Sequence, residues 1–235
     1  MALGAPKMKA AFQSASHILI SIPPGKNGDP ALKALNGVPT AAKWIGYLSA
    51  TSVYGDRQGG WAFEGEAPTP GLARGRRRAD AELAWLETYP QTQIFRLAGI
   101  YGPGRSPFAK LKDGTARIVE APGHVVNRIH IDDIIQALRL SMTAPCLGDI
   151  LNLADGAPAA PGDVLDYAAD LAGLPAARRV ALNDPSLSDM ARSFYAESKS
   201  VAITRAETRL GWTPQFKDYR AGLDAIWAIE KAQIS

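Results

Sequence analysis

Four short stretches of this 235-residue chain carry side chains whose types and spacing could do chemistry. Ser49-Ala-Thr-Ser-Val-Tyr-Gly55 clusters hydroxyls able to donate to a carbonyl or phosphate oxygen. Ala98-Gly-Ile-Tyr-Gly-Pro-Gly-Arg105 ends in a guanidinium that can fork onto phosphate or carboxylate oxygens. Asn127-Arg-Ile-His-Ile-Asp-Asp133 gathers an amide, a guanidinium, an imidazole and two carboxylates, and Arg74-Gly-Arg-Arg-Arg78 holds four arginines. Each has a plainer reading. Hydroxyls after a strand are common turn formers, Gly-Pro-Gly is a tight bend, and a charge run is usually a solvated helix face, with Arg78 and Glu82 an ordinary i,i+4 pair. Against that plain reading, arginines at a predicted helix N-terminus oppose the helix dipole, which favours anions there. Anion binding therefore stays open beside it.

The elements that must position these stretches follow from the apolar pattern. His17-Ile-Leu-Ile-Ser-Ile22, Trp44-Ile-Gly-Tyr-Leu48, Gln93-Ile-Phe-Arg-Leu97 and Gly148-Asp-Ile-Leu-Asn-Leu153 read as buried strands. Helical spacing predicts a helix from about Pro30 to Ala42, a second with Ala79, Leu83 and Leu86 on one face, and a third with Ile134, Ile135, Leu138 and Met142 behind Asp132 and Asp133 as caps. A fourth carries Val164, Ala168, Leu171 and Ala172 and stops at Gly173, and the last carries Leu223, Ile226 and Trp227. Between Thr51 and Leu72 a stretch rich in Gly, Pro, Asp and Glu reads as a surface excursion. Strand and helix in alternation give an α/β fold, a Rossmann-like doubly wound parallel sheet. The ligand belongs outside the carboxyl ends of its strands, where the first three of the four stretches begin. Residues beyond about Ala157 have too few apolar runs for a core of their own and read as a small, mostly helical cap over the sheet.

Composition excludes several classes. With 46% hydrophobic and 21% charged residues the chain is globular in type, and a net charge of +3 is too small to argue for nucleic acid. The single cysteine, Cys146, cannot form an internal bridge, which fits a cytoplasmic setting. No apolar run approaches a membrane span, and three scattered histidines with one cysteine give no zinc pattern, so neither membrane nor metal is expected.

Taken in order, Leu48-Ser-Ala-Thr-Ser-Val-Tyr-Gly-Asp56, Phe95-Arg-Leu-Ala-Gly-Ile-Tyr-Gly-Pro-Gly-Arg105, Arg128-Ile-His-Ile-Asp-Asp133 and Leu210-Gly-Trp-Thr-Pro214 do point to a family. The chain resembles, from about His17 to Trp227, the extended short-chain dehydrogenase/reductases, in their NAD-dependent epimerase/dehydratase group acting on nucleotide sugars. The similarity is greatest to atypical members of the nucleoside-diphosphate-sugar epimerase type. The resemblance implies NAD or NADP as cofactor and a small-molecule substrate, with a partial dinucleotide-binding domain over residues 1–156 and the cap over 157–235. Cofactor contacts are implied at Ser21, Ile22, Pro23, Ser49, Ala50, Arg78, Leu97, Ala98 and Gly99. Substrate contacts are implied at Tyr54, Arg74, Arg105, Asn127 and Arg128, and catalytic roles at Thr51, Ser52 and Arg78.

The chain also departs from the pattern. The family's Gly-x-x-Gly-x-x-Gly turn is absent from the sequence, and the first strand matches the family's fourth, so the resemblance implies an N-terminally truncated fold lacking about two βαβ units of roughly 30 residues each. An exposed sheet edge is then expected, to be covered by a homodimer mate or another partner. Alignment puts Ala50 at the family's serine or threonine, Arg74 at its tyrosine and Arg78 at its lysine. Arginine cannot act as a general acid near neutral pH. The expectation is weak or altered epimerase/dehydratase-like activity; the alternative is a catalytically degenerate dinucleotide fold kept as a binding or regulatory protein.

Overall fold

A computed structural model describes residues 2–232. From the N-terminus the chain forms α1 (Pro6–Ser14), β1 (His17–Ile20), α2 (Pro30–Leu35), β2 (Trp44–Ala50), a 3-10 turn (Thr51–Tyr54), β3 (Trp61–Ala62), α3 (Ala73–Thr88), β4 (Thr92–Leu97) and β5 (Gly99–Tyr101). It continues through α4 (Phe108–Lys112), β6 (Arg117–Val119), β7 (Arg128–His130), α5 (Ile131–Thr143), β8 (Ile150–Leu153) and α6 (Pro161–Ala172). The last elements are β9 (Arg178–Val180), α7 (Asp189–Ser193), β10 (Ser200–Val201), α8 (Thr204–Leu210) and α9 (Tyr219–Ala232).

The main sheet is parallel throughout, in the order β1-β2-β4-β8, with helices on both faces. Side chains alternate along β2 and β4 and so supply two cores. Trp44, Phe95 and Leu97 pack with Ile134, Ala137 and Leu138 of α5 and with Ala206 and Leu210 of α8. Ile45, Tyr47 and Ile94 point the other way, onto Phe12 of α1, Leu35 of α2 and Ala81 and Trp85 of α3. The wholly buried Trp44 ring keeps its N–H satisfied by donating to Gln93 Oε1 at 3.0 Å and Ser141 Oγ at 2.7 Å, which ties β2 to β4 and α5. This is the Rossmann-like α/β sheet expected, followed by a small C-terminal region with four helices. β1 pairs on one side only among the described residues.

Several local expectations are corrected. The predicted helix from Pro30 stops at Leu35, because Asn36 turns left-handed at φ 49° and Gly37 follows at φ 70°. Leu83 of α3 is 59% exposed; the helix buries Ala81, Glu82 and Trp85 instead. Glu82 therefore does not pair with Arg78 across the surface but is bound beneath the sheet by Arg96. Ile135 of α5 is likewise exposed, and His130 rather than an aspartate caps that helix, its Nδ1 accepting the Asp132 N–H at 3.2 Å. The stretch from Thr51 to Leu72 is only partly superficial, since Val53, Tyr54, Ala62 and Glu64 are buried.

The cap is built from both halves of the sequence. β6 pairs with β9, β3 with β10, and Tyr101, Phe108 and Leu111 share one apolar cluster with Val164 and Ala168 of α6 and Leu223 and Ile226 of α9.

Candidate active site

A cleft of about 320 Å³ opens where β2 and β4 end. Its floor is Ala50 at the end of β2, Leu97 at the end of β4, and Ala98 and Gly99 where the chain passes into β5; Thr51, Ser52, Arg74, Val125, Val126, Asn127, Phe194, Glu197 and Lys199 form the walls. The site thus lies outside the carboxyl ends of adjacent parallel strands, where the strand ends leave a crevice. The turn after β2 is held tightly. Gly55 adopts φ 67° and packs on the Thr69 carbonyl, and the Thr69 hydroxyl donates back to the Tyr54 carbonyl at 2.8 Å. Gly75 lets α3 lie against the Ser52 carbonyl, where any Cβ would collide. Thr51 and Ser52 are consequently fixed in place, and their hydroxyls make no hydrogen bond among the described residues.

The opposite wall comes from the extended segment before β10. The side-chain amide of Asn127 is spent on that segment: its Nδ2 donates to the Lys199 carbonyl at 2.7 Å and its Oδ1 accepts the Val201 N–H at 2.9 Å. Latched in this way, Lys199 donates from Nζ to Glu197 Oε2 at 3.2 Å, with both side chains almost wholly shielded. The other carboxylate oxygen, Glu197 Oε1, is buried without a hydrogen-bond partner among the described residues. Burial pulls the Lys199 ammonium below the usual lysine range, and the Arg74 charge adds to that, while Glu197 and Asp56 act in the opposite direction. Arg74 donates to the Ser193 hydroxyl at 2.7 Å and carbonyl at 3.0 Å and lies over the Phe194 ring at 4.8 Å, with no carboxylate partner among the described residues.

The remaining residues singled out by sequence stand elsewhere. Ser21, Ile22 and Pro23 are exposed beyond β1 and do not line the cleft. Arg78 turns under the sheet to the Tyr47 hydroxyl at 3.2 Å and the Leu48 carbonyl at 2.9 Å. Ser49 donates to Glu82, and Tyr54 donates to Asn152 Oδ1 at 2.7 Å beneath the floor. Arg128 is held by the Val126 and Ala159 carbonyls at 2.9 and 3.3 Å, and Arg105 is exposed on the bend after β5. Sequence reasoning did not single out Phe194, Glu197 or Lys199. The one cue was the Glu-x-Lys spacing just before β10, which puts both side chains on one face of an extended segment. Among the described residues no group of three or more His, Cys, Asp and Glu side chains could hold a metal ion, and no helix is long and apolar enough to cross a membrane.

No family model matches the chain. The chain is 33% identical over 174 residues to Protein YeeZ of Escherichia coli strain K12, an alignment covering 73% of this chain and 58% of that protein. The chain thus spans somewhat over half the length of this curated relative. The solved UDP-glucuronic acid 4-epimerase of Bacillus cereus, in complex with NAD, has the same fold at 16% identity, with a TM-score of 0.76 over 100% of this chain and 80% of that one. A solved conserved protein of unknown function from Silicibacter pomeroyi DSS superimposes with a TM-score of 0.88. At 45% identity over 92% of this chain and 78% of that one, the chain belongs to one family with the Silicibacter protein, on the fold of the NAD-dependent epimerases and dehydratases.

Proposed function

We propose that the chain is an NAD(P)-dependent oxidoreductase or isomerase of the epimerase/dehydratase kind, acting on a nucleotide sugar or a related carbonyl or hydroxyl compound with altered chemistry. The observation that carries this reading is the cleft at the ends of β2 and β4, which the Thr51 and Ser52 hydroxyls and the Glu197–Lys199 ion pair line together with Ala50, Leu97, Ala98 and Gly99. Residues 1–156 supply the floor and the cofactor side in this reading, and 157–235 close the substrate side.

The residues present fit the nicotinamide end of such a cofactor. Ala50, Ala98 and Gly99 let a flat ring approach the strand ends, and the cleft wall carries an acceptor, Glu197 Oε1, that no donor among the described residues satisfies. When bound, a nicotinamide dinucleotide supplies hydride transfer. The chain's own residues do the rest. Thr51 and Ser52 donate hydrogen bonds to the oxygen of the reacting carbon, and Arg74, which meets no carboxylate among the described residues, takes an anionic group of the substrate. Asn127 acts by holding the Lys199 backbone.

Calorimetric titration of the chain with NAD, NADH, NADP and NADPH, each alone and with UDP-glucuronic acid, tests the reading. Binding of at least one dinucleotide at or below millimolar concentration is expected; no heat with any of the four overturns it. A second reading, a binding or regulatory module, is favoured by Arg74 and Arg78 in place of a tyrosine and lysine and by the turn of Arg78 away from the cleft. Its signature is dinucleotide binding with no conversion of UDP-glucuronic acid, UDP-glucose or simple carbonyl compounds.

A further inference from the structure

The resemblance leaves the cleft without a proton donor, because an arginine stands where the tyrosine is expected. The side chains that line it narrow the replacements. Arg74 stays charged at any working pH, Asn127 has no proton to give, and threonine and serine hydroxyls ionise far too weakly. His124 does not line the cleft; its ring packs on Tyr195 at 4.9 Å, and burial holds it below the usual imidazole range. Glu197 and Lys199 are left. Of Lys199's three N–H groups, one donates to Glu197 Oε2, its single hydrogen-bond acceptor among the described residues, so two remain for a ligand.

We propose that Lys199, positioned by Glu197, is the proton-exchanging catalytic residue of this cleft. The proposal rests on the oxidoreductase or isomerase reading above. Toward a carbonyl, one N–H bond of the ammonium breaks and an O–H bond forms on the substrate oxygen as the carbon gains the hydride that the dinucleotide class supplies. The free amine then recovers a proton from water. In the opposite direction the amine takes the hydroxyl proton and becomes ammonium as the same carbon gives up hydride. Both directions need an amine that loses its proton nearer neutrality than a surface lysine does, since proton transfer is most effective when donor and medium are matched.

The surroundings supply that tuning from several elements. The charged and titratable groups acting on Lys199 are Glu197 on its own segment, Arg74 of α3, Asp56 after the 3-10 turn and His124 before β7. Burial and Arg74 favour the neutral amine; Glu197 and Asp56 favour the ammonium. Glu197 also sets direction, because it ties the amine to the cleft wall at 3.2 Å.

The test uses the full chain carrying 13C-labelled lysine. The Lys199 Cε resonance, identified by its absence from Lys199→Arg and from Lys199→Met, is expected to titrate below the other lysines. Glu197→Gln is expected to move it lower still, since a favourable negative charge is lost. A Lys199 midpoint among or above the other lysines overturns the proposal. Where calorimetry shows NAD and UDP-glucuronic acid bound, their addition shifts that resonance, and an unmoved resonance also overturns it. Turnover, once found, falls by about 10²-fold or more in Lys199→Met; wild-type turnover in that variant counts against the proposal. Failure of every dinucleotide to bind is a different result: it removes the oxidoreductase reading and is read by heat, not by the lysine titration.

Discussion

Glu82 and Glu197 each hold a buried cation, Arg96 in the first case and Lys199 in the second, and their surroundings treat them in opposite ways. Arg96 reaches Glu82 through Nε and Nη2, at 2.7 Å for the shortest contact, and the carboxylate also accepts from Ser49. The guanidinium stacks over the Tyr54 ring at 4.8 Å, and Tyr54 in turn bonds Asn152. Glu197 makes one contact to its lysine and leaves an oxygen unbonded in a cleft wall. The cations differ more deeply than the contacts. Arg96 Nη1 too lacks a hydrogen-bond partner among the described residues, but an arginine cannot shed its charge on burial and so depends on its counter-ion, whereas a lysine can become neutral. A pair that cannot neutralise is an anchor; a pair that can is available for chemistry.

Removing the carboxylate charge separates the two. Glu82→Gln leaves the Arg96 charge buried without its counter-ion and is expected to lower stability by about 3–5 kcal/mol. In Glu197→Gln the lysine is able to shed its charge, which the arginine is not, and the expected loss is about 1 kcal/mol, close to that of one hydrogen bond. The Glu197→Gln deficit grows as the pH falls, because the folded lysine, held below its unfolded pKa, must be charged against its surroundings. Urea unfolding of both variants at two pH values checks the contrast, and equal losses would erase the distinction between anchor and chemical pair.

Asp155 shows a third solution and sharpens the comparison. It is buried, it has no ion pair within 4.0 Å among the described residues, and its Oδ2 is unbonded, although Oδ1 accepts the Ala157 N–H at 3.1 Å. Burial pushes its carboxyl up to about 7, with the Ala157 N–H and the Arg128 charge opposing. Between the unfolded pKa near 3.8 and this value the folded state binds the extra proton, so stability is present at the acid end and is lost as pH rises toward about 7. The expected loss is about 2–4 kcal/mol across that window, the order that a shift of this size sets. Asp155→Asn keeps the acceptor for Ala157 and removes the titration. Its stability relative to the wild type should therefore climb from pH 4 to pH 7, and a flat difference would show that Asp155 remains ionised.

The same contrast explains which parts of the molecule were legible in the sequence. Both faces of the sheet could be read, because Trp44, Ile45, Phe95 and Leu97 sit in apolar runs whose alternation follows from strand geometry. Part of the cleft lining could be read too, since Ala50 and Leu97 end strands and Thr51, Ser52 and Ala98 directly follow them. Glu82 could not be placed, because charge spacing on α3 suggested a surface pair with Arg78, and only the β4 register brings Arg96 beneath it. Lys199 could not be placed either. Its position depends on the Asn127 amide, 72 residues earlier, gripping its carbonyl, and a long-range latch leaves no local period in the sequence.

The smallest expected effect isolates desolvation as the cause of these differences. Arg179 of β9 donates to Asp166 of α6 at 2.6 Å, shorter than the 2.7 Å contact of Arg96 with Glu82, yet the two side chains are 57% and 37% exposed. Were distance the controlling quantity, this pair would rank beside Arg96 and Glu82. Water instead screens both charges in either state, and holding two long side chains in one geometry costs entropy that offsets most of the attraction. Arg179→Ala is accordingly expected to change stability by less than about 1 kcal/mol, with the residual effect shrinking further in added salt. A loss in urea unfolding comparable with that of Glu82→Gln would mean that contact geometry, not removal from water, decides which of this chain's charged pairs act as anchors.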